Sequence, residues 1–150
     1  MLVYRVASRR YAADDGEGAR LYRGRWNNPG TAVIYASATR SLAALEVIAN
    51  RGAIPADYRV VVINLPDGLS IETVGPDDLP GGWPEADSES KTADRGSEWA
   101  SSLRTTVLQV PSAVIPAEHN YILNPQHPDF QTIGFDLSTD EHIDSRLRIK

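Results

Sequence analysis

Residues 21–51, LYRGRWNNPGTAVIYASATRSLAALEVIANR, hold a turn, a strand and a helix in one run. Asn27-Asn28-Pro29-Gly30 supplies the turn, because Pro presets its own φ and Gly tolerates a positive one. Thr31 to Ala36 is β-branched and aromatic, which predicts a buried strand. Ser37 or Thr39 caps the following helix, and Asn50-Arg51-Gly52 marks its end. At roughly 100° per residue, Leu42, Leu45 and Ala49 fall on one helical stripe, and Glu46 sits at its edge. Two readings of Glu46 follow: a surface carboxylate paired with Arg40 or Arg51, or a carboxylate aimed into a cleft beside the core. Arg25, Tyr35 and Glu46 lie on three elements of the run, and each is costly to place in apolar surroundings without a partner.

Outward from this run, Leu2 to Ala7 alternates apolar and polar residues and predicts a first strand. Tyr11 to Arg20 is small, acidic and glycine-containing, hence a loop. Tyr58 to Leu65 is the clearest strand, ended by Pro66-Asp67-Gly68, and Ser70 to Val74 extends the sheet. Gly75 to Gly96 has few aliphatics and many charges and turn formers. It predicts a long flexible loop, with Trp83 as its anchor to the body. Ser97 to Leu103 reads as a short helix and Thr105 to Val110 as a strand. Asn120 and Asn124 bracket Tyr-Ile-Leu and read as turn asparagines that bond loop backbone. Gln131 to Leu137 and an edge strand from His142 to Ile149 complete the chain. One substantial helix among many strands argues against repeated βαβ winding. The expectation is a single α+β domain over residues 1–150, with a curved, mostly antiparallel sheet and few helices.

Composition narrows the function. The chain has 150 residues, 41% hydrophobic and 23% charged, enough for one core. No apolar run reaches the length of a membrane span, and the N-terminus lacks a signal-peptide layout. The absence of cysteine excludes disulfides and thiolate metal sites and fits a cytoplasmic location. His119, His127 and His142 lack the spacing of a helical zinc site, so no metal is expected. A net charge of −5 advertises no nucleic-acid-binding face. Arg9-Arg10 and Arg146-Arg148 read as solvated surface. Arg20, Arg23 and Arg25 flank Gly24 and a turn, where a guanidinium can meet a phosphate. There is no Walker loop, no G-x-S-x-G and no G-x-G-x-x-G; Ser112 near His119 lacks an oxyanion-hole motif.

What remains is a metal-free set: Arg25, Tyr35, Glu46 and Ser112. With GRWN at 24–27, VIYAS at 33–37, SLAALEV at 41–47, VPSAVIP at 110–116 and NYILNPQHPDF at 120–130, the chain resembles the RES domain. The likeness runs from the LVYRV opening to Ile143-Asp144-Ser145-Arg146-Leu147. It implies a fold like that of ADP-ribosyltransferases and a toxin that consumes NAD as its substrate. It places the family's Arg, Tyr, Glu and Ser on Arg25, Tyr35, Glu46 and Ser112. It also implies a partner, an Xre-type helix-turn-helix antitoxin that carries the DNA contact, and leaves a homodimer within that complex open.

On this reading Arg25 anchors the phosphates, since a guanidinium binds them bidentately. Glu46 bonds the ribose hydroxyls and stabilises an oxocarbenium-like state. Tyr35 stacks on or orients the nicotinamide side, and Ser112 fixes the carboxamide or ribose. The acceptor is water or phosphate. The rivals are transfer of ADP-ribose to a protein and an inactive module kept for binding the antitoxin.

Overall fold

The computed structural model describes residues 1–85 and 88–150. Seven strands form one sheet: β1 (Leu2–Ser8), β2 (Ile34–Ser37), β3 (Tyr58–Asn64), β4 (Ile71–Thr73), β5 (Val107–Pro111), β6 (His119–Leu123) and β7 (Gly134–Asp136). Their spatial order is β4-β5-β6-β2-β1-β3-β7; β4 and β5 are parallel and every other pair is antiparallel. The helices are α1 (Glu17–Leu21), α2 (Arg40–Arg51) and α3 (Glu89–Ser102). The expected α+β architecture with a curved, mostly antiparallel sheet is therefore the one observed.

Strand alternation sorts the side chains onto two faces. Val3, Ile34, Ala36, Val61, Ile63, Val107, Tyr121 and Leu123 form the core on one face. The other face is covered in two places. Val6 and Val60 pack with Ala43 and Ile54, against α2. Leu108, Val110 and Ile122 pack with Trp26, Trp99 and Ala100, against α3. Tyr4 pairs with Ser37, Ile122 with Tyr35 and Asn120 with Ser37, so Tyr35, Ser37 and Asn120 lie on this second face. They occupy the strip between the α2-side and α3-side clusters.

The second helix follows its local chemistry. The Thr39 hydroxyl accepts from the Leu42 N–H, and Gly52 closes the helix at φ 82°, where a side chain would be strained. Its buried face differs from the expected stripe. Leu42 and Ala43 are buried and Val47 and Ile48 pack beside them, whereas Leu45 is 40% exposed and Ala49 is also exposed. The sheet is met by successive residues rather than by the Leu42-Leu45-Ala49 line.

Other expectations are corrected. The strand expected from Thr31 starts at Ile34, and α1 occupies the end of the expected 11–20 loop. Within the segment expected to be a loop from Gly75 to Gly96, Pro76–Asp78 is a 3-10 turn and α3 begins at Glu89. The part of that expectation on residues 86 and 87 lies outside the described residues. The short helix expected from Ser97 is the second half of α3; the first half reads as loop because the buried face, Thr92, Ala93, Gly96, Trp99 and Ala100, is mostly small residues with little apolar signal. Their smallness has a use: a Cβ on Gly96 would lie 1.9 Å from the Trp26 carbonyl oxygen. The expected 131–137 strand begins as a 3-10 turn, Pro128–Thr132, and only Gly134–Asp136 is extended. The expected edge strand from His142 is replaced by a 3-10 turn at Ser145–Leu147, because Asp144 accepts from the Arg146 N–H. Only a single bridge, Ile54 to Arg148, remains there. Arg148 is held by the Pro55, Ala56 and Tyr58 carbonyls, unlike the solvated arginine expected.

Candidate active site

Glu46 lies one turn beyond the buried Leu42 and points to the strip on β2 and β6. Its Oε1 accepts two hydrogen bonds, from the Ser112 hydroxyl at 2.8 Å and from Asn120 Nδ2 at 2.6 Å. Neither Arg40 nor Arg51 pairs with it. Arg40 instead meets Glu141, and Arg51 lies over the Tyr58 ring. The cleft reading of Glu46 is the one the geometry supports. No described group donates to Oε2, so one carboxylate oxygen is committed and the other is left for something else.

Ser112 follows the end of β5 and is fully buried. Its oxygen accepts from the Val114 and Ile115 N–H groups, both at 3.0 Å, while its single proton goes to Glu46. A hydroxyl so engaged holds the carboxylate. It has no donor left for a carboxamide or a ribose, which revises the role expected for it.

Arg25 stands at the other end of the strip. The turn that carries it is built by Tyr35, whose hydroxyl accepts from the Trp26 N–H at 3.0 Å and donates to Asn27 Oδ1 at 2.5 Å. Asn27 is wholly buried, and its amide donates to the Ala19 and Tyr22 carbonyls. Gly24 cannot be larger: a Cβ there would lie 2.5 Å from both Asn27 Oδ1 and the Tyr35 oxygen. Burial pushes the Tyr35 phenol well above its ordinary pKa, so it stays a donor at neutral pH. From the opposite face, Arg5 Nη1 donates to the Tyr35 carbonyl at 2.9 Å, and burial lowers the pKa of that guanidinium. Both hydrogen-bonding capacities of the Tyr35 hydroxyl thus serve the Arg25 turn.

The Arg25 guanidinium itself is poorly paired. Nη2 is 3.4 Å from Glu89 Oε1, a long contact, and Nη1 is buried with no partner among the described residues. A buried guanidinium N–H left unpaired is costly, and an anion is the natural partner for it. Tyr35, which builds the Arg25 turn, and Ser37, which holds Asn120, are two residues apart on β2, about 7 Å along the strand.

Tyr35, Glu46 and Ser112 thus meet at the second face of the sheet, with Arg25 on the turn that Tyr35 builds; Asn27, Ser37 and Asn120 join them there, and Arg5 reaches the Tyr35 carbonyl from the opposite face. Asn120 had read as a turn asparagine but lies within β6. Asn124 is the structural one, donating to the Ala100 carbonyl and accepting from the Gln126 N–H. A polar Asn beside Tyr-Ile-Leu in a buried strand is a signal that was available. Among the described residues, no group of three His, Cys, Asp or Glu side chains is placed to hold a metal ion. No described helix is long and apolar enough to cross a membrane.

A hydrogen-bonded carboxylate and an under-paired guanidinium thus belong to one face of a curved, mostly antiparallel α+β sheet, and the comparisons with known proteins give the class. The RES domain family matches residues 2–144, and this chain belongs to it. It is 41% identical over 138 residues to the "Prs ADP-ribosylating toxin" of Sphingobium sp., covering 87% of this chain and 86% of that protein. It is 38% identical to the "Toxin Res" of Photorhabdus laumondii, covering 98% and 97%. The fold matches a chain in the crystal structure of the M. tuberculosis MbcT-MbcA toxin-antitoxin complex. The TM-score is 0.70 at 21% identity, with 90% of this chain and 80% of that chain covered.

Proposed function

We propose that this protein is the toxin of a toxin–antitoxin pair and that it cleaves the nicotinamide–ribose bond of NAD. The observation that carries the reading is a carboxylate with one oxygen committed and one without a described donor, on the same sheet face as the tyrosine that builds the turn of an under-paired guanidinium. Arg25, partly exposed and held only by the long Glu89 contact, binds the pyrophosphate. Glu46 faces the ribose with Oε2, bonds its hydroxyls and stabilises the positive charge as the C1′–N bond breaks. The bonding pair leaves with the nitrogen, so the pyridinium departs as neutral nicotinamide and no general acid is required. An oxygen of water or phosphate then bonds to C1′ and its proton passes to solvent. Tyr35 and Ser112 are positioning residues, the first for Arg25 and the second for Glu46.

A second acceptor has its own support. The Sphingobium relative is named for ADP-ribosylation, and transfer to a protein side chain uses the same bond cleavage. The antitoxin partner is inferred from the toxin names and the complex in which the structural neighbour was solved. An Xre-type helix-turn-helix is the expected form of that partner, in a cytoplasmic complex where it contacts DNA. A proton NMR time course with NAD, with and without phosphate, tests the reading. Nicotinamide release is expected, and its dependence on phosphate separates phosphorolysis from hydrolysis. Release only on addition of a protein fraction, with ADP-ribose detected by mass spectrometry, favours transfer. No release under any of these conditions refutes the cleavage.

A further inference from the structure

We infer that Asn120, held by Ser37, is a positioning residue that fixes the carboxylate plane of Glu46 and so aims its open oxygen at the sugar; the inference rests on the cleavage reading above. Asn120 and Ser37 face each other across the β6–β2 pair. The Ser37 hydroxyl, only 3% exposed, donates to Asn120 Oδ1 at 2.7 Å. That bond fixes the amide plane and presents Nδ2 to Glu46 Oε1 at 2.6 Å. Turning the amide over would set a carbonyl oxygen against a carboxylate oxygen, so the orientation follows from the partners.

Two donors meet on one oxygen. The terminal torsion of a glutamate is otherwise broad, and the carboxylate is free to exchange its two oxygens by rotation. Ser112 and Asn120 approach from β5 and β6 and hold Oε1 between them, which leaves Oε2 for the ribose. A purely architectural role for Asn120 does not account for this. Asn is disfavoured in strands, and the partners of this side chain are the Ser37 hydroxyl and the Glu46 carboxylate, neither of them backbone. Asn124, a few residues on, shows what an architectural Asn does here: it bonds main chain.

The discriminating variant is Asn120→Asp, which keeps the shape and the acceptor for Ser37 but faces Glu46 with an oxygen. Nicotinamide release at varied NAD should show kcat reduced roughly tenfold to a hundredfold, the worth of a charge-assisted hydrogen bond, with KM little changed. Ser37→Ala should lower kcat by a smaller factor, and Ser37→Thr, which retains the hydroxyl, should restore it. An Asn120→Asp enzyme with wild-type kcat overturns the inference, as does a KM effect alone. A second readout does not need turnover. In nitrogen–proton correlation spectra the Asn120 side-chain amide should move in both Glu46→Gln and Ser37→Ala, and a signal that moves in neither overturns the positioning role. Wild-type protein that releases no nicotinamide yet shows these shifts refutes the activity and leaves the positioning intact.

Discussion

The two ends of the strip are built on opposite terms. At the Glu46 end every polar atom around the carboxylate is matched: Ser112 by two backbone N–H groups, Asn120 by Ser37, and Oε1 by both. At the Arg25 end the supporting turn is equally well bonded, but the guanidinium has one long contact to Glu89 and one buried nitrogen without a partner among the described residues. At one end the charged group is held in place with a single open oxygen, Oε2; at the other the charged group is only weakly held. On the proposed reading this is a division of labour: the Glu46 end would act on the transition state and the Arg25 end on the ground-state affinity for an anion.

The comparison can be broken most decisively at the carboxylate. Glu46→Gln keeps the side chain's size but removes the charge, and kcat should fall at least about a hundredfold with the melting temperature little altered. Steady-state release of nicotinamide beside a thermal melt checks both halves. The other end should respond through KM: Arg25→Ala removes the phosphate partner and should raise KM for NAD roughly tenfold to a hundredfold, measured by the same assay or by calorimetry. Tyr35→Phe sharpens the contrast, since it strands the Trp26 N–H and Asn27 Oδ1 in the turn. It should cost about 1–3 kcal/mol of stability in denaturant unfolding and raise KM along with it. The smallest effect belongs to Glu89→Gln, which withdraws the carboxylate that competes for Arg25. KM should fall, but by no more than about fivefold, because a partly exposed pair of this length is weak.

Which of these features the sequence revealed depends on how local their causes are. Helix α2 was readable because its Thr39 cap, its Gly52 stop and its position after a turn are written within a few residues. The expected strands at β1 and β3 agree with the structure for the same reason. Only the second half of α3 was readable, from Ser97; the first half holds Gly96, whose smallness lets Trp26 approach and which looks like loop composition until the partner is known. The final strand was misjudged because Asp144 turns the backbone back on itself, a local bond that outweighs the alternation from His142 to Ile149.

The site divides in the same way. Arg25, Tyr35, Glu46 and Ser112 were found through the order of motifs, not through any one residue's neighbours. Asn120 has partners 74 and 83 positions away, Glu46 and Ser37, so no window along the chain could associate them. Asn27 was read correctly as part of a turn, but its second use, accepting the Tyr35 proton, becomes visible only when β2 is folded beneath it.

The most direct test of the account is a steady-state comparison of nicotinamide release by wild-type, Glu46→Gln and Arg25→Ala proteins across a wide range of NAD. The division of labour predicts that the first substitution collapses kcat with KM nearly unchanged and the second raises KM with much of kcat retained. Glu46→Gln protein that turns over NAD at the wild-type rate would contradict it.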